Sequence, residues 1–120
     1  MPSPYSRRRG TAIVDSSKGI LVVSQGSEVF LLPGGGARSH ELQIEAAIRE
    51  LKEETGLYPI EVKYLFKFMS AKIFLMKTRG TPRPRNEIRK IAYYYPGGNI
   101  RVSYNTKKII DIYLQNKNKR

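Results

Sequence analysis

Seven residues between positions 35 and 56 are of types, and at spacings, that can do chemistry: Gly35, Glu41, Arg49, Glu50, Glu53, Glu54 and Gly56. From Glu41 to Thr55 there is no proline or glycine, and alanine, leucine, glutamate and glutamine dominate, so the stretch reads as a helix that Gly56 stops. At about 100° per residue, Glu50, Glu53 and Glu54 share one sector, with Ile44, Ala47, Ile48, Leu51 and Thr55 on a neighbouring one. One face is therefore expected in a core and the next is acidic. Carboxylates at i, i+3 and i+4 repel one another, so the arrangement calls for a cation. Hard oxygen donors in that number suit Mg²⁺, or Mn²⁺ in its place. Arg49 stands four residues before Glu53 and is expected to pin it, leaving Glu50 and Glu54 to face a metal. Glu41 would point away from Glu50 if helical, and is expected to organise the glycine loop through backbone hydrogen bonds.

An acidic helix face is ordinarily a solvated surface. The residues in front of this one argue otherwise. Leu32-Pro33-Gly34-Gly35-Gly36 reads as a strand end turning through residues that tolerate positive φ, where backbone amides and carbonyls can approach a phosphate or metal closely.

The elements that must position these groups follow from the pattern on either side. Thr11 to Val14, Ile20 to Val23 and Val29 to Leu32 are short apolar runs, the first two separated by a hairpin-type break at Asp15 to Gly19. After a turn at Pro59, Glu61 to Phe68 alternates as a half-buried strand, and Lys72 to Thr78 pairs with it across Ser70-Ala71. Thr78 to Lys90 is a basic loop with two prolines, Ile88 to Tyr95 a further strand, and Asn105 or Thr106 caps a last helix with an Ile109, Ile110, Tyr113, Leu114 stripe. Strands on both sides of a helix, with a second helix at the end, describe an α/β/α sandwich around a mixed sheet. The reading is one domain over residues 1–120, with a flexible basic arm at 1–10 and a basic tail at 116–120.

Composition narrows the chemistry. The 120 residues include no cysteine and one histidine, which excludes disulfides, thiolate zinc sites and a His-built metal centre, so carboxylates must carry any metal chemistry. No apolar stretch approaches the length of a membrane span, and the expectation is a soluble, cytoplasmic protein, monomer or homodimer. The net charge of +12 falls entirely in residues 61–120, with fifteen Lys/Arg against three Asp/Glu. A cationic half facing an acidic helix suggests a polyanionic partner.

The spacing of Gly35, Glu41, Arg49-Glu50, Glu53-Glu54 and Gly56-Leu57 resembles the Nudix box: a glycine, five residues, Glu, seven residues, then Arg-Glu-apolar-x-Glu-Glu-x-Gly-apolar. Every defined position is filled, and the motif covers about a fifth of the chain. The resemblance implies a Nudix-type α/β/α sandwich with a mixed β-sheet, the box forming a loop-helix-loop beside it. It implies hydrolysis of a nucleoside diphosphate linked to another group, or of a related phosphoanhydride such as a dinucleoside polyphosphate, an inositol pyrophosphate or an RNA 5′ end. In that reading Glu50, Glu54 and the Gly35 carbonyl hold Mg²⁺ and Glu53 is the general base, with Glu50 or Glu87 as alternatives. Asn86-Glu87-Ile88 resembles the segment where many members carry an extra acid.

Substrate-marking residues about sixteen positions past the box, a proline or a tyrosine in some subfamilies, are absent; Lys72, Ile73 and Phe74 stand there. The triple glycine and the Arg7 to Arg9 cluster resemble the diphosphoinositol and diadenosine polyphosphate hydrolases. Arg7 to Arg9, with Arg8 as the representative of that cluster, and Arg83 and Arg85 are the expected contacts to the uncleaved part of the substrate. The alternative function is a non-catalytic module binding nucleotide or RNA on the same fold.

Overall fold

In the computed structural model, which describes residues 3–118, a single turn of 3₁₀ helix at Pro4–Ser6 precedes β1 (Arg9–Ile13), β2 (Asp15–Ser16), β3 (Gly19–Ser24) and β4 (Gly34–Gly36). Helix α1 (Gln43–Thr55) follows, then β5 (Tyr58–Phe68), β6 (Ala71–Arg79), β7 (Lys90–Tyr94) and α2 (Tyr104–Asn118). A four-stranded sheet runs β4-β1-β6-β5, with β1 parallel to β6 and the other pairs antiparallel; an antiparallel sheet runs β2-β3-β7. Strands with adjacent apolar side chains need cover on both faces, and these have it. Ala12, Leu21 and Phe74 go to a core shared with Ala47 and Leu51 of α1, whereas Ile13, Val22 and Ile73 go to one shared with Ile109, Ile110 and Tyr113 of α2. The α/β/α sandwich with a mixed sheet is what results.

Helix α1 is seated by two features. A Cβ at Gly10 would overlap the carbonyl oxygen of Gln43, so glycine lets the helix pass directly against β1. The Gln43 side-chain amide then donates to the carbonyls of Arg9 and Ser70, at 3.0 and 2.8 Å. At the other end Gly56 adopts φ 77° and its N–H closes on the Lys52 carbonyl at 2.9 Å, the left-handed cap that its sequence position calls for. Leu51 is fully buried beneath this helix, a contribution of about 1.5–3 kcal/mol for one leucine.

Several local expectations are corrected. The residues read as a flexible arm are built in from Ser3 onward: Tyr5 is fully buried, its hydroxyl lies 2.7 Å from Thr106 Oγ1 of α2, and β1 starts at Arg9. An apolar ring on a hydrophobic core and a satisfied hydroxyl outweigh the polar look of its neighbours. The basic tail continues α2 through Asn118; residues 119 and 120, like 1 and 2, lie outside the described residues. Helix α1 begins at Gln43 rather than Glu41, and Pro59 sits inside β5, at the outer edge of its sheet, where proline is tolerated. Val29 to Leu32 makes only isolated bridges, Leu31 to Val23 and Phe30 to Val102. The glycine triplet is instead the strand, paired with β1 in the register Arg9↔Gly36, Gly10↔Gly35 and Thr11↔Gly34. A bulge between Tyr64 and Phe66 breaks the even alternation of β5, so that Leu65 and Phe66 both pack on the α2 side. Ser103 is the residue ahead of α2 whose hydroxyl accepts from an N–H of the first turn, that of Thr106 at 3.2 Å.

Candidate active site

The three acids of α1 and the glycine strand face one cleft of about 590 Å³, joined there by Arg7, Arg9 and Gln25 from the first and third strands' ends and by Asn86, Glu87 and Ile88 from the loop before β7. Glycine is required here for close approach. A Cβ at Gly35 would overlap the Glu50 carboxylate, and one at Gly34 would overlap the Gly10 carbonyl of β1. The Gly34 N–H donates to Glu54 Oε1 at 3.0 Å.

Glu54 is partly buried, and among the described residues that N–H is the one hydrogen bond its carboxylate receives and no Lys or Arg forms an ion pair with it. Burial pushes its carboxyl up to about 8, against the Gly34 hydrogen bond, with the neighbouring Glu50 charge adding to the rise. Burial also raises Glu50, while Arg49 opposes and Glu53 reinforces the shift. Side-chain exposure grades across the sector, from 22% at Glu50 to 44% at Glu53.

Arg49 does not primarily pin Glu53. Its Nε and Nη2 grip Glu41 at 2.7 and 2.9 Å, and Nη2 also reaches the Gly36 carbonyl at 3.3 Å. Glu53 and Glu50 lie at 3.5 and 3.6 Å from Nη1, looser ion pairs with the same guanidinium. Glu41 lies outside the helix, so its carboxylate turns back to meet Arg49 while Oε1 also accepts from the Arg38 N–H at 3.0 Å. Glu41 thus accepts a backbone N–H of its own loop and the Arg49 fork together. That pairing holds the Glu41 carboxyl down at about 2 and raises Arg49 above its ordinary value.

Glu87 reaches the cleft because the loop carrying it is stitched to the end of α1. The N–H groups of Arg83 and Arg85 donate to the carbonyls of Thr55 and Glu54, at 2.9 and 3.1 Å, and Asn86 Nδ2 donates to the Glu53 carbonyl at 2.7 Å. These are helix-end carbonyls without partners inside the helix. Asn86 takes φ 55°, a left-handed value that asparagine tolerates, and redirects the chain into the cleft.

Of the arginines expected at the substrate, Arg7 and Arg9 line the cleft, whereas Arg8, Arg83 and Arg85 do not. Arg83 and Arg85 serve the helix end, where the Arg85 guanidinium also touches the Lys52 carbonyl at 3.4 Å. Arg8 donates to the Glu41 carbonyl at 3.0 Å and lines a separate groove with Tyr64 and Lys72. Alternation along the extended chain leading into β1 separates the first cluster: side chains of Arg7 and Arg9 fall on the cleft side and Arg8 on the other.

Among the described residues no three His, Asp or Glu side chains converge closely enough to hold a metal by themselves. The donor set nevertheless suits a hard cation. Glu54 is a partly buried carboxylate with no ion-pair partner, Glu50 is pressed onto the Gly35 backbone beside it, and Mg²⁺ takes only one or two carboxylates, completing its shell with waters and substrate phosphates. No helix among the described residues is long and apolar enough to cross a membrane.

The NUDIX domain family model matches residues 4–109. A structure from Chromobacterium violaceum, described as a Nudix hydrolase family member, is 36% identical, with a TM-score of 0.82 over 96% of this chain and 80% of its own. An ADP-ribose pyrophosphatase of Methanocaldococcus jannaschii is 29% identical over 88% of this chain and 72% of its own. A bifunctional NMN adenylyltransferase/ADP-ribose pyrophosphatase of Francisella tularensis, complexed with AMP and a Mn ion, is 21% identical and superposes with a TM-score of 0.66 over 90% of this chain and 41% of its own.

Proposed function

This chain belongs to the Nudix hydrolase family, and from that premise we propose that it is a Mg²⁺-dependent pyrophosphohydrolase, cleaving a phosphoanhydride in a nucleoside diphosphate linked to a second group or in a related polyphosphorylated compound. The observation that carries the reading is the convergence of Glu50, Glu53, Glu54 and Glu87 on one cleft floored by glycine backbone. Four carboxylates gathered in one cleft repel one another and are useful together only with a cation among them.

Glu50 and Glu54, with the Gly35 carbonyl, would hold Mg²⁺, and the Mn ion of the Francisella tularensis relative belongs to the same hard class. When bound, the metal supplies charge neutralisation of the phosphates and polarisation of the attacking water. Glu53 is the most exposed acid of the sector and lies where water reaches it, so it is assigned the proton transfer from that water. Arg49, through Glu41, fixes the Gly36 loop and keeps the helix acids facing the cleft. Glu87, delivered by the loop docked on α1, is placed to adjust the protonation of Glu50 and Glu54, both of which its charge raises.

The test is product release from ADP-ribose, other nucleotide sugars, dinucleoside polyphosphates, nucleoside triphosphates, inositol pyrophosphates and triphosphorylated RNA, with Mg²⁺ and with chelator. Mg²⁺-dependent release of a phosphate or nucleotide product from one class supports the reading. Release from none by the folded protein overturns it.

A further inference from the structure

Tyr64 is half exposed on the edge strand β5, and its ring packs on the buried Phe74 of β6, the ring centroids 5.6 Å apart and the planes at 57°. Lys72 Nζ stands over the same ring, 5.9 Å from its centre. With Arg8 and the exposed Leu42 ahead of α1, these residues line a groove of about 310 Å³ that shares no residue with the acidic cleft. Phe74 thus sets the plane of the tyrosine, and a flexible, exposed lysine is the group that covers it.

The charge around the groove is of one sign. Lys67 stands directly opposite Lys72 in the ladder between β5 and β6, and like charges so placed repel one another. Among the described residues neither lysine nor Arg8 forms an ion pair, and Arg8 donates to the Glu41 carbonyl, a neutral group. The carboxylates nearby are turned to other partners, Glu41 to Arg49 and Glu45 to the Leu42 N–H at 2.8 Å. Three exposed cations without acids, beside a half-exposed ring, do little for the fold. They match a ligand that alternates flat rings with phosphates, whereas a run of acidic side chains offers the charge without the rings. At the other end of β5 the combination recurs: Tyr58 is exposed, and Lys52 Nζ lies 5.2 Å from the centre of its ring. Tyr58 and Tyr64 are six residues apart on one strand, about 20 Å, a span that suits a short single strand better than one nucleotide.

We propose that the groove of Arg8, Tyr64 and Lys72 binds single-stranded nucleic acid, with a base stacked on Tyr64 and the adjoining phosphates held by Arg8, Lys67 and Lys72. An arriving base takes the ring face that Lys72 covers, and the displaced ammonium meets the phosphate next to it. The site lies outside the acidic cleft and needs neither metal nor turnover, so it stands or falls separately from the hydrolase reading.

The test is fluorescence anisotropy of a labelled single-stranded RNA of about eight nucleotides, in chelator, with wild type, Tyr64→Ala, Tyr64→Phe and Lys72→Gln. The RNA carries a 5′-hydroxyl and so offers the acidic cleft no phosphoanhydride. Wild type should bind it more tightly than a duplex of the same length, whose bases are hidden, and more tightly than inorganic polyphosphate or polyglutamate. Tyr64→Ala should weaken binding about tenfold or more, the scale of one lost stack, while Tyr64→Phe keeps the ring and should stay within about twofold of wild type. Lys72→Gln should weaken binding and flatten its dependence on salt. Melting temperatures establish that the variants are folded, and if Tyr64→Ala is not, the surface variant Lys72→Gln decides with the competitors. Wild-type affinity in folded Tyr64→Ala, an unchanged salt slope in Lys72→Gln, or equal binding of polyphosphate, polyglutamate or duplex overturns the proposal.

Discussion

Arg49 and Glu41, eight residues apart, form a two-pronged pair at 2.7 and 2.9 Å that joins α1 to the loop after the glycine strand. The helix face alone suggests a different partner, Glu53, four residues on. The fork geometry goes instead to the carboxylate that also accepts the Arg38 N–H, so one acid both folds its own loop and ties it to α1.

Acid should therefore loosen this junction at a defined place. The Glu41 carboxyl sits at about 2 in the folded chain against an ordinary 4.5, a lowered value. Its stabilising effect is complete above about pH 4.5 and is lost as pH falls through about 2. Melting temperatures of wild type and Glu41→Gln should differ at pH 6 and converge toward pH 2; a constant offset would show that the ionised pair is not the cause.

Arg49→Ala should lower kcat more than it raises KM, because it frees the loop and the helix acids without removing a substrate contact. A pure KM effect would make Arg49 a substrate ligand. Glu41→Gln should reproduce part of the kcat loss, and the double variant should cost less than the sum of the two.

The metal-free protein should lose stability as pH rises from about 4.5 to about 8. Glu54 has a raised folded value, so its protonated form is favoured by folding and the advantage disappears as the buried carboxyl ionises through about 8. Glu54→Gln should flatten that slope, and Mg²⁺ should restore stability to wild type near pH 8 but not to the variant. A wild-type slope identical to the variant's would remove Glu54 as the buried acid responsible.

Arg83→Ala with Arg85→Ala should change kcat/KM by no more than about twofold on short and long polyphosphate substrates, with no change in salt dependence, since the backbone rather than the guanidinium docks this loop. A large, salt-sensitive loss confined to the long substrate would put these side chains back at the ligand.

The sequence made the acidic sector, its helix, the Gly56 cap and the sandwich legible because each obeys a short-range rule of period or capping. What it hid depends on contacts across the fold. Glycine has no strand preference, so β4 appears only once Gly34 to Gly36 are seen packed against β1 and Glu50. Tyr5 looks like part of a polar arm until Phe68 and Thr106 are found around it. Arg7, Arg8 and Arg9 are alike as residue types, and only the extended backbone that carries them separates Arg8, on the Glu41 side, from Arg7 and Arg9 in the cleft.

The most direct measurement is kcat/KM for wild type and Glu54→Gln on the best-cleaved phosphoanhydride, in Mg²⁺ and in chelator, with circular dichroism confirming that both are folded. The expected result is turnover by wild type in Mg²⁺ alone, lowered about a hundredfold or more in Glu54→Gln, the scale of losing a charge-stabilising group in an active site. Wild-type turnover that survives chelation, or a Glu54→Gln variant of near wild-type activity, would contradict the assignment of this cleft.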